Sequence, residues 1–155
     1  AEELVRASDI PWIILQPAEV YGGSGDAVTT LITLAKRFGI VLKTKSPVTL
    51  SPVHIDDVVD ATVRAVDSPN TGRSYVLAGP QALTLTQLGE LATQKKYTVR
   101  VPTPLWLLRT SAFIAQMLGS TSMVPDQVDR FLCDKPTDST LAREDLGFNP
   151  RPFTL

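Results

Sequence analysis

Cysteine and histidine are the scarcest chemistry-bearing residues here: the 155-residue chain has one of each, Cys133 and His54. A single cysteine excludes an internal disulfide and a thiolate metal site, and a single histidine excludes a histidine cluster for zinc or iron. No metal site is expected. No apolar run approaches the roughly 18 residues of a membrane span, and no charged start with an apolar core and cleavage site marks a signal peptide. An excess of charge is also missing: Lys plus Arg number 15 against Asp plus Glu at 16. With no basic stripe interleaved with aromatics, nucleic acid is not an expected partner. Internal repeats and low-complexity segments are absent as well. What remains is 43% hydrophobic residues in a length of about one domain, enough for a buried core. A soluble globular protein of a reducing, cytoplasmic compartment is the expectation.

The most informative stretch is Trp12 to Gly23, WIILQPAEVYGG. Its apolar run, Trp12 to Leu15, is stopped by Pro17. This reads as a buried parallel strand filled on both faces and opening into a loop. Active sites of open α/β sheets lie just beyond such strand ends. Gly22, Gly23 and Gly25 equally suit a plain turn into the next helix. Ahead of this strand, AEELVRAS reads as the end of a helix and Ser8 to Pro11 as a turn. After it, Ser24 or Asp26 opens a helix with Val28, Leu31, Ile32, Ala35 and Phe38 on one face, and Gly39 ends it. From Ile40 to Ser51 the pattern is short and β-like, confined by Pro47 and Pro52.

In Ser51 to Val66, SPVHIDDVVDATVRAV, the residues Ile55, Val58, Val59, Thr62, Val63 and Val66 form one apolar stripe on a helix of about three turns. Asp56 and Asp57 fall in its first turn, where carboxylates complement the helix dipole. Paired Asp residues beside a His also suit acid–base or metal chemistry. Asp60 and Arg64 are spaced to pair on the solvent side. Further on, Ser74 to Ala78 reads as a strand, and Thr84 with Gln87 as a capping box opening a helix through Ala92. Tyr97 to Val101 alternates as a strand after a tight junction at Gln94-Lys95. Leu105 to Leu118 is nearly all apolar, either core or a partner surface. Pro125 to Leu132 and Ser139 to Leu146 read as short helices, with Gly147 closing the second. Cys133 has Asp134 and Lys135 beside it and no base, and reads as a packing cysteine.

Four of these stretches together resemble the C-terminal half of an extended or atypical short-chain dehydrogenase/reductase, the NAD(P)-dependent epimerase/dehydratase family. ILQPAEVYGG is similar to its Arg-Pro-x-x-Val-Tyr-Gly strand end, and PVHIDDVVDATVRAV to its Pro-Val-His-Val-x-Asp-Val-Ala segment. YVLAGPQALTLTQLGELA resembles the strand and helix that follow, and AREDLGFNPRPF the closing Leu-Gly-Phe-x-Pro. The resemblance implies an α/β fold, the C-terminal part of a Rossmann-like doubly wound sheet plus a small α+β substrate-side domain. Residues 1–24 and 52–79 would complete the Rossmann-like sheet, with 25–51 and 80–155 on the substrate side.

By the same resemblance the cofactor is NAD or NADP, with Pro17 and Val20 at its nicotinamide end. Glu19, Tyr21 and Gly22 would border a small-molecule substrate, and His54 and Asp57 would support the loop as structure. No residue is assigned a catalytic role, because the family's glycine-rich phosphate turn and its Tyr-x-x-x-Lys do not occur in this sequence. The chain is therefore expected to be a fragment, inactive by itself. Gln16 replaces the family's Arg, losing the charge and the bidentate fork, which points away from a sugar-nucleotide substrate. It also brings the chain closer to the atypical branch, which includes proteins resembling an accessory subunit of respiratory complex I. A homo-oligomer is left open. The alternative reading is a non-catalytic interaction domain that uses Leu105 to Leu118 against a partner.

Overall fold

The computed structural model describes residues 2–23, 26–43, 49–93, 99–102 and 135–154. The chain divides into two compact units. The first comprises Ala1–Val20, Ser51–Gln81 and Pro136–Phe153, and the second Tyr21–Leu50, Ala82–Lys135 and Thr154–Leu155.

In the first unit, helix α1 (Glu2–Arg6) leads through the Ser8–Pro11 turn to strand β1 (Ile13–Pro17), which the short β2 (Val20–Tyr21) follows in the chain. β1 runs parallel to β6 (Arg73–Leu77) in a register that sets Ile13 opposite Arg73 and Pro17 opposite Leu77. Strand β5 (Val53–His54) passes directly into helix α3 (Ile55–Val66), and a last helix, α5 (Thr140–Leu146), packs on β6 and α3. The core holds Val53, Ala61, Ala65, Tyr75, Leu77, Ala142, Leu146 and Phe148, against which Ile13, Leu15, Val20 and Val58 pack. Burial of each large apolar side chain there contributes about 1.5–3 kcal/mol.

Three sequence expectations change in this unit. β1 is half-buried rather than buried, since among the described residues its one paired neighbour is β6. α3 turns a different face to the core: Asp57, Ala61 and Ala65 are buried, whereas Val59, Val63 and Val66 are 54%, 59% and 80% exposed. Alanines let the helix approach β1 and the α5 helix closely, which valines would block. Arg64 does not pair with Asp60. Its Nη1 donates to the carbonyls of Leu146 (3.3 Å) and Gly147 (2.6 Å), where the left-handed Gly147 (φ 59°) leaves helix carbonyls open. Pro136–Phe153 belongs to this unit. Ala142, Leu146 and Phe148 supply the apolar face that ties it there.

The second unit contains α2 (Ala27–Phe38), β3 (Ile40–Lys43), β4 (Thr49–Leu50), β7 (Leu83–Thr84), α4 (Leu85–Ala92) and β8 (Val99–Pro102). Asp26 caps α2 by accepting from Thr29 N–H, and left-handed Gly39 (φ 69°) ends it. β3 pairs parallel with β8, and β4 antiparallel with β7. The Thr84–Gln87 capping box is formed, and α4 packs on β3 so closely that a Cβ at Gly89 would lie 3.0 Å from a Val41 methyl. The Gln94-Lys95 junction, the Leu105–Leu118 and Pro125–Leu132 helices, and Cys133 lie outside the described residues.

Candidate functional site

The carboxyl end of β1 is laced to two neighbouring segments. Ala18 N–H donates to Leu77 O (2.9 Å), Val53 N–H to Glu19 O (2.9 Å), and Gly79 N–H to Ser51 O (3.1 Å). Glu19, only 5% exposed, closes the lattice, with its Oε2 accepting from Ser51 N–H at 3.1 Å. A buried carboxylate is tolerated only with such donors, so one oxygen of Glu19 is committed to holding Ser51. The segments touch tightly. A Cβ on Gly79 would come within 1.8 Å of Pro52 O, so at this place only glycine fits.

Pro17 ends β1 at the surface, and Val20 is half-buried against the core of the same unit. The adjoining residues of the second unit are buried Tyr21 and exposed Gly22, the latter with φ 95°, which favours glycine. His54 is at once the last residue of β5 and the N-cap of α3, its Nδ1 accepting from Asp56 N–H at 3.2 Å. That bond requires a free lone pair on Nδ1, so the 3.4 Å approach of the Asp56 carboxylate becomes an ion pair only on protonation. Asp57 accepts from Arg151 twice, from its backbone N–H (3.0 Å) and its Nε (2.9 Å). Within the first unit, Glu19, His54 and Asp57 thus each hold a hydrogen bond at the ends of β1, β5 and α3, while Val20 packs against the core. Ser51, Gly79 and Arg151 join them without having been singled out from the sequence. Nothing in the sequence marks Arg151, because the burial of Asp57 that calls for a cation arises only in the folded structure.

Gln16 spends its amide on α1, with Nε2 donating to both carboxylate oxygens of Glu2 (3.1 and 3.2 Å). Arg6 stacks over Trp12 at 5.9 Å and pairs with Glu2 at 3.3 Å. An open apolar recess of about 420 Å³, lined by Trp12, Ile13, Leu15, Ala65, Val66 and Thr71 among others, lies alongside β1 and α3. A smaller polar one of about 170 Å³ lies between Asp60, Arg64 and Asn149. Among the described residues no three His, Cys, Asp or Glu side chains gather as a metal site, and no helix is long and apolar enough to cross a membrane.

No protein-family model matches the sequence, and neither does any curated protein. Solved structures do. The chain is similar over 97% of its length to UDP-glucose 4-epimerase of Thermotoga maritima, solved with UDP-glucose, at 20% identity and a TM-score of 0.64. It is similar over 97% to UDP-glucuronic acid 4-epimerase of Bacillus cereus, solved with UDP-glucuronic acid and NAD (15%, 0.59), and over 90% to RMD of Pseudomonas aeruginosa, solved with NADPH (14%, 0.57). It spans 44%, 43% and 42% of those chains, less than half of each. At such identities the likeness establishes the fold. The chain has the α/β, Rossmann-like architecture of nicotinamide-dependent epimerases, as the sequence resemblance implies.

Proposed function

We propose that this chain forms the substrate side of an NAD(P)-binding oxidoreductase or epimerase and works only together with a nucleotide-binding part that carries the glycine-rich turn. The observation that carries the reading is the end of β1. A parallel strand stops at Pro17, and the residues after it are held by neighbouring backbone amides, in a fold shared with proteins solved with NAD or NADPH. Ligands of open α/β sheets bind beyond such ends. The recess alongside β1 supports a further part, because among the described residues β1 and β6 form a sheet of two strands, and two parallel strands make a poor sheet by themselves.

The residues present fit a nicotinamide. Exposed Pro17 and half-buried Val20 offer an apolar edge, and neither brings a charge near a ring that changes charge on reduction. The bound dinucleotide would supply hydride transfer; this chain would position and shield. Pro17 and Val20 flank the ring, Glu19, Tyr21 and Gly22 border the substrate, and His54 and Asp57 hold the start of α3. Proton transfer is left to groups outside this sequence. With Gln16 neutral and committed to Glu2, the preferred substrate is a small molecule without a phosphate gripped at this position.

The test is titration of NADH and NADPH into the isolated chain, into its mixture with a complementary nucleotide-binding half, and into the full-length protein. Binding in the last two and none in the first is expected. A folded full-length protein that binds neither nucleotide would refute the proposal.

A further inference from the structure

We infer that Arg151 is a positioning residue for the β1 strand end, acting through Asp57. The tail that presents it is itself anchored. Gly147 turns the chain, Phe148 N–H donates to Ala142 O (3.1 Å), and the Phe148 ring and Pro150 are buried. Arg151 then meets α3 with a backbone N–H and Nε on the two oxygens of Asp57, and with Nη1 at 3.4 Å from Asp56. The Asp57 side chain is 9% exposed and that of Arg151 43%, so the acid lies inside and the cation covers it.

Asp57 is the third residue of α3, and no loop separates α3 from β5, because His54 ends one and caps the other. A tilt of the first helical turn therefore passes directly into Val53 and, two residues back, Ser51. These are the residues whose N–H groups hold the carbonyl and the carboxylate of Glu19. Arg151 is remote in sequence from Glu19 and touches neither nucleotide nor substrate in this scheme. It sets the angle of the frame on which Glu19 sits.

The decisive measurement is amide hydrogen exchange on the protein, comparing wild type with Arg151→Ala and Arg151→Lys. Arg151→Ala is expected to speed exchange at the Ser51 and Val53 N–H groups about tenfold relative to those of Tyr75 and Leu77, the fold-change that loss of a charge-assisted hydrogen bond brings. Arg151→Lys, which keeps the backbone contact and the charge but loses the fork, is expected to fall between. Uniform acceleration at all four amides, or none, overturns the inference; if Arg151→Ala does not fold, Arg151→Lys decides by the same comparison. The catalytic consequence rests on the proposed function. In the full-length protein Arg151→Ala should lower kcat about tenfold with nucleotide Kd changed less than twofold. A parallel loss of both overturns the positioning role, whereas failure of the wild type to bind nucleotide refutes the functional reading and leaves the exchange comparison standing.

Discussion

Gly79→Ala tests the lattice at the end of β1 directly. The added Cβ would lie 1.8 Å from Pro52 O and 2.7 Å from Pro52 C, both backbone atoms, whereas real Cβ contacts stay beyond 3.0 Å. Gly79 and the Ser51–Pro52 segment must therefore part by more than an ångström. Neither can do so freely, since Gly79 N–H donates to Ser51 O and Ser51 N–H to Glu19. Overpacking of this kind costs about 1–3 kcal/mol, and the strained hydrogen bond about 1 more. The smaller entropy of the unfolded alanine chain returns about 0.4–1 kcal/mol. A net loss of about 1–3.5 kcal/mol is expected, centred near about 2, a sizeable part of the stability of an ordinary domain. Urea unfolding followed by circular dichroism should show the midpoint falling by about 1–2 M with an unchanged slope. Gly72→Ala is the control, because its Cβ meets nothing within 4 Å although φ is +75°. It should cost only the left-handed backbone penalty of about 1–2 kcal/mol. If Gly79→Ala were no more damaging than Gly72→Ala, the close approach of Gly79 to Pro52 would not hold and the account of the strand end would fail with it.

Tyr75 is fully buried, and burial pushes its phenol above the ordinary 10.0, with the hydrogen bond to Asp145 adding to the shift. A raised folded value means that the protonated phenol stabilises the fold below pH 10.0 and that this stability is lost as pH rises through the folded value. Melting temperature followed over about pH 9 to 12 should therefore fall more steeply in wild type than in Tyr75→Phe; identical slopes would contradict the assignment. Thr84→Ala removes the cap of α4 and should cost about 1 kcal/mol by urea midpoint. Arg100→Ala, by contrast, breaks a pair to Glu90 whose side chains are 64% and 41% exposed, and should change stability by less than about 0.5 kcal/mol.

Local punctuation was legible in the sequence because it depends on near neighbours. Asp26, Gly39, the Thr84–Gln87 box and Gly147 cap or close their helices as read, and Pro17 ends its strand. The orientation of α3 was not legible. Its valines outweigh its alanines in any periodic reading, yet Ala61 and Ala65 face the core because what matters is how closely β1 and α5 can approach. The partner of Arg64 is hidden from the sequence for a related reason. A neighbour four residues along is visible in sequence, while two open helix carbonyls 82 and 83 residues away are not. Of the candidate site, the strand end and the residues on it could be seen. Ser51, Gly79 and Arg151 could not, since each acts through a contact that only tertiary structure creates.

The first unit is assembled from three separated pieces of chain, with the second unit's residues running between them. Ile13 must find Arg73 across sixty residues, and Tyr75, already paired with β1 through Leu15, waits for Asp145 a further 70 residues on. Such long-range closures are slow, and they favour the shorter, more local contacts of α2, β3 and α4 forming first. During synthesis, then, the unit that is encoded first is completed last. A ribosome-stalled chain ending before residue 136 would expose β6 and the alanine face of α3, and loss of residues 136–153 alone would disable the first unit far out of proportion to their number.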